Sequence, residues 1–420
     1  MKLIALLILI FSVPSYALVD MKNAHFSDQW VDIIVKGNKV DLSIERGYSS
    51  RSLFSGIFGF GWCSNIEAKL DITLEGNLIL NECGGLAINY YPANQNTKLI
   101  NTSVKKIISL YKKKHARKSA KYFRDLKNKL LSDYKLRSQL AGEVGFKIPT
   151  TKNTLFLANG KEIDRISFDG KHYVRTLPDS SVQKFDPSGR LVYLFDRKKN
   201  YTKISYQGRL ISHVTTNEGS KVTFVYNPAK KLKRIIGPNN MVSSYTFNGE
   251  NLVKIKNGWK NNYTYKYDTN HNLVRINFPD GTYKKIAYNQ KKDWVKKYTN
   301  RDGCVENFEF TLSKDSPKDH YWSTAVKSCK KKVVSRSRYE FWYATKSGNE
   351  KYLNRVLSER NNSVLDIGYH KDFGKPVSVR KNADLTTIEY FPNGLIKKKV
   401  VSTLVVRTDH SLKYSLAYKY

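Results

Sequence analysis

An aromatic residue followed directly by Asp, Asn or Gln recurs six times between residues 185 and 289. The pairs are Phe185-Asp186, Tyr206-Gln207, Tyr226-Asn227, Phe247-Asn248, Tyr267-Asp268 and Tyr288-Asn289, spaced by 21, 20, 21, 20 and 21 residues. A fixed period of this length marks a repeat architecture, and each period reads as one β-hairpin. Tyr263, Tyr265 and Tyr267 alternate, so their rings share one face. Asp268 opens a turn, because its carboxylate can accept from nearby backbone N–H groups. A short strand follows from Leu273 to Phe278, and Pro279-Asp280-Gly281 returns the chain. Asp186-Pro187-Ser188-Gly189 has the same grammar, in a type I arrangement. Asn272 stands in for the glycine in one repeat, since Asn tolerates a left-handed conformation. Lys231 holds that place in another and is expected to be strained or differently turned. Apolar pairs follow each turn (Leu191 and Leu194, Leu232 and Ile235, Leu252 and Ile255, Leu273 and Ile276) at a separation of three. That spacing leaves two alternatives: both faces are partly buried, or a bulge sits between the two residues.

The array is assigned to residues 145–420. Its period weakens after Phe310, and Ser313 to Lys332 reads as a longer loop. Hairpin-like segments resume at Tyr339 to Tyr343, Leu365 to Tyr369 and Ile388 to Ile396, and Leu412 to Tyr420 reads as a final strand. A leucine-rich repeat is excluded by the missing Leu and Asn ladders. A β-propeller, with two hairpins per blade, is the alternative fold.

Residues 18–100 form an N-terminal module. Asp32 to Val35 and the alternating Val40, Leu42 and Ile44 make a hairpin around Lys36-Gly37-Asn38-Lys39. Arg46-Gly47-Tyr48-Ser49-Ser50 comes next, then Gly56-Ile57-Phe58-Gly59-Phe60-Gly61-Trp62. No helix opens after these glycines, so a tight bend packed under rings is expected rather than a phosphate loop. The two segments resemble the opening signature of RHS-repeat (YD-repeat) proteins. Phe185-Asp186-Pro187-Ser188-Gly189-Arg190-Leu191 and Phe195-Asp196-Arg197-Lys198-Lys199-Asn200 resemble that family's later elements, with Lys199 where the family usually has Gly. The resemblance covers most of residues 30–290. It implies a mostly β protein in which antiparallel hairpins wind into a partial shell. The family's autocleaving core and toxin domain have no counterpart motif here, so neither activity is carried over.

Residues 101–144 interrupt this pattern. From Val104 to Leu140 there is no Gly or Pro, and apolar residues recur at helical intervals with a polar gap from Lys112 to Lys121. One long or two shorter helices are expected, with Thr102 or Ser103 as N-cap. Thirteen Lys or Arg face two Asp between Lys105 and Arg137. The segment therefore reads either as a solvated surface helix or as a basic amphipathic helix for an anionic surface.

The whole chain of 420 residues carries 73 Lys plus Arg against 36 Asp plus Glu, a net charge of +37. Such a balance favours acidic partners. Residues 1–17 read as a secretory signal peptide: Lys2, then an apolar run from Leu3 to Val13, then Ser15-Tyr16-Ala17. That run is too short to span a bilayer, so an exported protein, periplasmic, cell-surface or secreted, is expected rather than an integral membrane one. Four cysteines suit that compartment. Three connectivities are open, and the local pairs Cys63–Cys83 and Cys304–Cys329 are the natural choice.

Eight scattered His show no metal-ligand spacing, and no nucleophile elbow or P-loop is present. The reading names no catalytic, cofactor-binding or metal-ligating residue, no cofactor and no enzyme activity. It expects a binding or scaffold module at the cell envelope or outside the cell, with an acidic glycan or other anionic envelope polymer as partner. The alternative is a partial shell serving an effector protein encoded elsewhere. Nucleic acid is not the expected partner of an exported chain. A specific site is expected where the rhythm breaks, at 104–140 and 304–329.

Overall fold

The computed structural model describes residues 19–420 apart from 74–75, 84–86, 94–96, 148–149, 159–163, 347–350, 393, 407–410 and 420. The expected signal peptide lies outside the described residues. Strands Ser27–Val35, Leu42–Ser49 and Trp62–Ser64 form a small antiparallel sheet, as the alternation at Val40 to Ile44 predicts. A second sheet starts at Lys69–Ile72 and Leu78–Asn81, passes through Ile88–Pro92 to Leu155–Leu157, and runs on to Ser411–Lys419. Every pairing in it is antiparallel and joins strands that follow one another in the chain, the helical module aside. One continuous sheet replaces the separate radial blades that a propeller requires.

The bulge alternative holds in the repeats. Phe185 pairs with Leu191 while Lys184 pairs with Tyr193, so Val192 is extra. The same shift leaves out Ser212, Lys233, Val253, Val274 and Lys296. One extra residue between the apolar pair returns both members to one face, and Leu232, Ile235, Leu252, Ile255, Leu273 and Ile276 are all buried. The bulge also frees a carbonyl from the ladder, which must find another donor. The next repeat supplies it: the hydroxyls of Tyr206, Tyr226, Tyr267 and Tyr288 donate to the carbonyls of Leu191, Ile211, Leu252 and Leu273, at 2.8, 2.9, 2.8 and 3.1 Å. The tyrosine of four of the six motifs is therefore a staple between successive hairpins, and Phe185 and Phe247 lack the hydroxyl for it.

The acidic member opens the turn as expected. Asp268 Oδ1 accepts from the N–H groups of Asn270 and Asn272, and Asp186 Oδ1 from those of Ser188 and Arg190. The left-handed residue is one place earlier than Asn272 and Lys231: it is Gly189 (φ +83°), Lys230 (φ +59°) and His271 (φ +63°). Asn272 and Lys231 instead donate their N–H groups to the turn-opening side chain, which needs ordinary backbone there.

Three other expectations are corrected. The insertion forms three helices, α1 (Thr97–Lys114), α2 (Ala120–Ser132) and α3 (Tyr134–Glu143). Thr102 and Ser103 lie inside α1, because its apolar face extends upstream through Ile100. The observed side-chain caps are Ser119, accepting from the N–H of Tyr122, and Asp133, accepting from that of Leu136. The expected loop from Ser313 to Lys332 contains the strand His320–Cys329. Its alternation is hidden because Ser323 and Ala325 face inward, and Ser323 Oγ donates to the carbonyl of Met21.

The inward face of the array and the N-terminal module form one hydrophobic core, joining Phe26, Ile33, Leu42, Ile44 and Trp62 to the repeats. Ring closure occurs at one place. Lys69 bridges to Arg190, and the N–H of Leu70 donates to the carbonyl of Gly189 at 2.8 Å. The strands from Lys69–Ile72 round to Val182–Phe185 thus close on a repeat turn, and the remaining sheet continues from that ring. Both disulfides are the local ones, Cys63–Cys83 and Cys304–Cys329.

Candidate functional site

The motif residues of the N-terminal module build an anchor. Arg46 Nε donates to both carboxylate oxygens of Asp32 at 3.0 and 2.9 Å, and Nη2 donates to Tyr265 Oη at 2.8 Å. The guanidinium lies 4.7 Å from the Trp30 ring and 4.8 Å from that of Trp62. Burial disfavours the charge on Arg46, but Asp32 beside it outweighs this and raises the guanidinium's pKa. Asp32 also accepts from Tyr245 Oη, and its own pKa is pushed up by burial against the pull of Arg46. Trp62 Nε1 donates to Tyr267 Oη, and the N–H of Leu273 donates to Tyr48 Oη. Gly59, at φ +92°, is a close approach: a Cβ there would lie 2.4 Å from the carbonyl oxygen of Glu250. The Arg46–Ser50 and Gly56–Trp62 segments therefore clamp the module onto repeats 245–273, as the structural reading of those glycines requires.

Cavities surround the same module. One of about 690 Å³ is lined by His25, Arg51, Phe54, Cys63, Glu67 and Glu82, among others. A neighbour of about 530 Å³ is lined by Phe54, Ile57, Glu67, Arg190, Tyr206 and Arg209, among others. Glu67 and Phe54 belong to both. No sequence motif marks Glu67, which stands in a connector between two short strands.

The inward face changes character beyond residue 343. The module reaches strands 320–345 through Tyr321 Oη, which donates to the carbonyl of Lys22, and through Ser323. Past that point a row of paired residues crosses the sheet: Phe341, Val356, Ile367, Val379, Thr386 and Val401. Phe341 is buried, and the other five are only half-buried. Among the described residues, no apolar side chain beyond Phe341 is buried. Among the described residues, the sheet from 351 to 403 thus presents apolar residues with no second layer over them.

The two places where the rhythm breaks serve different ends. The helices pack on a core of their own, Val104, Ile107, Ile108, Leu126, Leu130 and Leu140. The apolar stripe of α1 and α2 is therefore used internally, which leaves the exposed Lys and Arg as the outward feature. The Cys304–Cys329 bond joins the ends of strands Val305–Leu312 and His320–Cys329. Among the described residues, no group of three His, Cys, Asp or Glu could hold a metal ion. Some rings on which a sugar could stack are taken by cations, Tyr283 by Arg275 at 4.1 Å, Phe278 by Arg301 at 4.3 Å and Trp294 by Lys292 at 4.3 Å, whereas Trp259, Tyr91 and Phe391 are exposed.

Residues 18–90 match the family model of a domain of unknown function, DUF6531, a domain found in RHS- and YD-repeat-type proteins. No curated protein matches the chain. Solved structures similar to it include TcdB2-TccC3-TEV, at 10% identity over 90% of this chain and 22% of that one, with a TM-score of 0.33. TcdB2-TccC3 without its hypervariable C-terminal region is similar at 9% identity over 97% of this chain and 24% of that one, with a TM-score of 0.29. A porin-like protein from Bacteroides uniformis is similar at 12% identity over 51% of this chain and 93% of that one, with a TM-score of 0.20. The chain spans under a quarter of the length of the two TcdB2-TccC3 chains.

Proposed function

We propose that this chain is a non-catalytic, exported β-shell protein of the RHS/YD type that holds another protein against the inward face of residues 351–406. The uncovered apolar row carries the reading. A sheet with an apolar face has to bury that face against a second layer, and among the described residues one is supplied only as far as strand 332–345. The match of residues 18–90 supports the family part of the reading. Two disulfides and no free cysteine among the described residues support an oxidising compartment. Lys381 and Lys399 stand two residues from Val379 and Val401 and so share the face of the apolar row, so the partner surface is apolar with an acidic border. The glycan alternative rests on charge more than on open ring faces. A photo-crosslinking residue at Ile367 or Val379 is expected to trap one defined protein in the native host, and Arg380, on the opposite face, to trap none. Ile367→Glu in a chain labelled at Val379 should abolish the product. A monomer free of crosslinks, whose amides at 351–406 resist hydrogen exchange as well as those at 245–276, would overturn the proposal.

A further inference from the structure

Glu67 is the most unusual polar group in the cavities. Its Oε1 accepts from the N–H of Ile57 at 2.7 Å. As a residue it is only half-buried, yet its Oε2 is buried and meets no hydrogen-bond partner. Gly56 packs so close that a Cβ there would lie 2.7 Å from each carboxylate oxygen. Burial pushes its pKa up to about 7, against the pull of the Ile57 N–H. An acceptor in this state costs free energy unless something satisfies it, and the carboxyl borders two cavities large enough for a small ligand.

The smaller cavity has a second polar pole. Lys69 is occupied by Asp71 at 2.6 Å, and Arg190 by Asp186 at 2.7 Å. Arg209 is exposed and has no ion pair among the described residues. Phe54, Ile57 and Ile211 supply apolar wall. The site therefore offers a carboxylate inside, a guanidinium at the rim and an apolar stretch of wall.

We propose that this cavity binds a zwitterion with an apolar side chain, a free amino acid or a short peptide, with Glu67 taking its ammonium group and Arg209 its carboxylate. The ammonium pairs with the Glu67 carboxyl where that residue lines the cavity, and a charge-assisted pair there is stronger than a neutral one. The carboxylate gains a guanidinium that has no competing anion. Binding needs Glu67 ionised, so affinity should rise between pH 6 and pH 7.5. The charged and titratable groups around Glu67 are Lys69, Arg190, Arg209, Tyr206 and Tyr226 on one side, and Asp20, Lys22, His25, Arg51 and Glu82 on the other. Burial holds His25 below its ordinary value, and the tyrosines are raised by burial above theirs, so Glu67 governs that window.

Calorimetric titration of the full chain tests this with leucyl-alanine, its N-acetyl form, its C-terminal amide and free leucine. Leucyl-alanine or leucine should bind at pH 7.5, and which of them is tighter separates peptide from amino acid. N-acetylation and Glu67→Gln should each weaken binding at least tenfold, and the acetylated ligand should not distinguish Glu67→Gln from the native chain. Amidation and Arg209→Ala should behave as the matching pair at the other end. Gln at 67 keeps an acceptor for the Ile57 N–H, and a circular dichroism spectrum establishes folding. Absence of binding by both ligands, a flat pH profile, or equal loss of free and acetylated ligand in Glu67→Gln would overturn the proposal.

Discussion

Gly189→Ala probes ring closure, and the cost can be worked from two separate strains. Gly189 sits at φ +83°, and a Cβ on it would lie 1.7 Å from the carbonyl oxygen of Leu70 and 2.8 Å from its carbonyl carbon. Gly281 makes the matched control: it closes a similar turn at φ +82°, with nothing within 4 Å of its Cβ position. Left-handed backbone costs an L-residue about 1–2 kcal/mol, and this applies to both sites. Overlap with fixed backbone adds about 1–3 kcal/mol at Gly189 alone. Loss of the 2.8 Å bond from the Leu70 N–H to the Gly189 carbonyl adds about 0.5–1.5 kcal/mol. The unfolded-state entropy gained by Gly→Ala is common to both and cancels. Gly189→Ala should therefore destabilise by about 2.5–6.5 kcal/mol, against about 1–2 kcal/mol for Gly281→Ala. Urea unfolding followed by circular dichroism gives the difference, and hydrogen exchange gives its location. The Leu70 amide should lose protection in Gly189→Ala and keep it in Gly281→Ala. Equal costs, with Leu70 protected in both variants, would refute ring closure at this turn.

Three further outcomes follow from the same geometry. Arg46→Met should cost about 3–5 kcal/mol, because it strands a buried Asp32 carboxylate. Adding Asp32→Leu should recover part of that loss, and a double-mutant cycle by chemical denaturation measures the coupling. In the ligand-free chain, Glu67 has a folded pKa of about 7, raised by burial above its ordinary value. The stability this gives is complete at low pH and is lost as pH rises through 7, so Glu67→Gln should be more stable than the native chain above pH 7 by up to about 3 kcal/mol. The two should converge near pH 4.5 in denaturation series. Finally, replacing residues 97–147 by a short Gly-Ser linker should leave the sheet's thermal transition unchanged. The N–H of Ala93 donates to the carbonyl of Leu155, so the chain leaves and re-enters the sheet at one point; calorimetry checks it.

The hairpin period, both disulfide pairs and the helical insertion were legible because each is a local rule. Tyr267-Asp268 states its turn within five residues, and Cys63 and Cys83 belong to one connector and its hairpin. The bulge at Val192 was legible only as a choice, since a spacing of three is compatible with two backbones. The left-handed place was misread by one residue because Asn272 is the better left-handed former, whereas the turn assigns that conformation to His271 and asks Asn272 only for its N–H. The strand His320–Cys329 was hidden by Ser323 and Ala325, small because the Met21 backbone lies over them. That contact joins residues 302 apart in the chain. Glu67 was invisible for the same kind of reason: its environment comes from Ile57 and from repeats near 190 and 206.

The break in rhythm also explains where the core ends. From Tyr201 to Thr299 the array strands are five to seven residues long. The later strands lengthen to 10 residues at His320–Cys329, 14 at Lys332–Thr345 and 10 at Lys351–Arg360. The N-terminal module lies against the short strands through Arg46, Trp62 and Gly59, and it reaches the long ones only by residues 21 and 22. Longer strands bring more apolar surface to the inward face just as the internal layer runs out. Shorter strands or a polar face would be expected there, because uncovered apolar sheet promotes aggregation. Instead Val356, Ile367, Val379 and Val401 keep it apolar on four of five successive paired strands, with Thr386 on the fourth. The repeat residues that first define the chain are turn and staple, and the proposed docking face lies where the repeats outgrow the module they are wound upon.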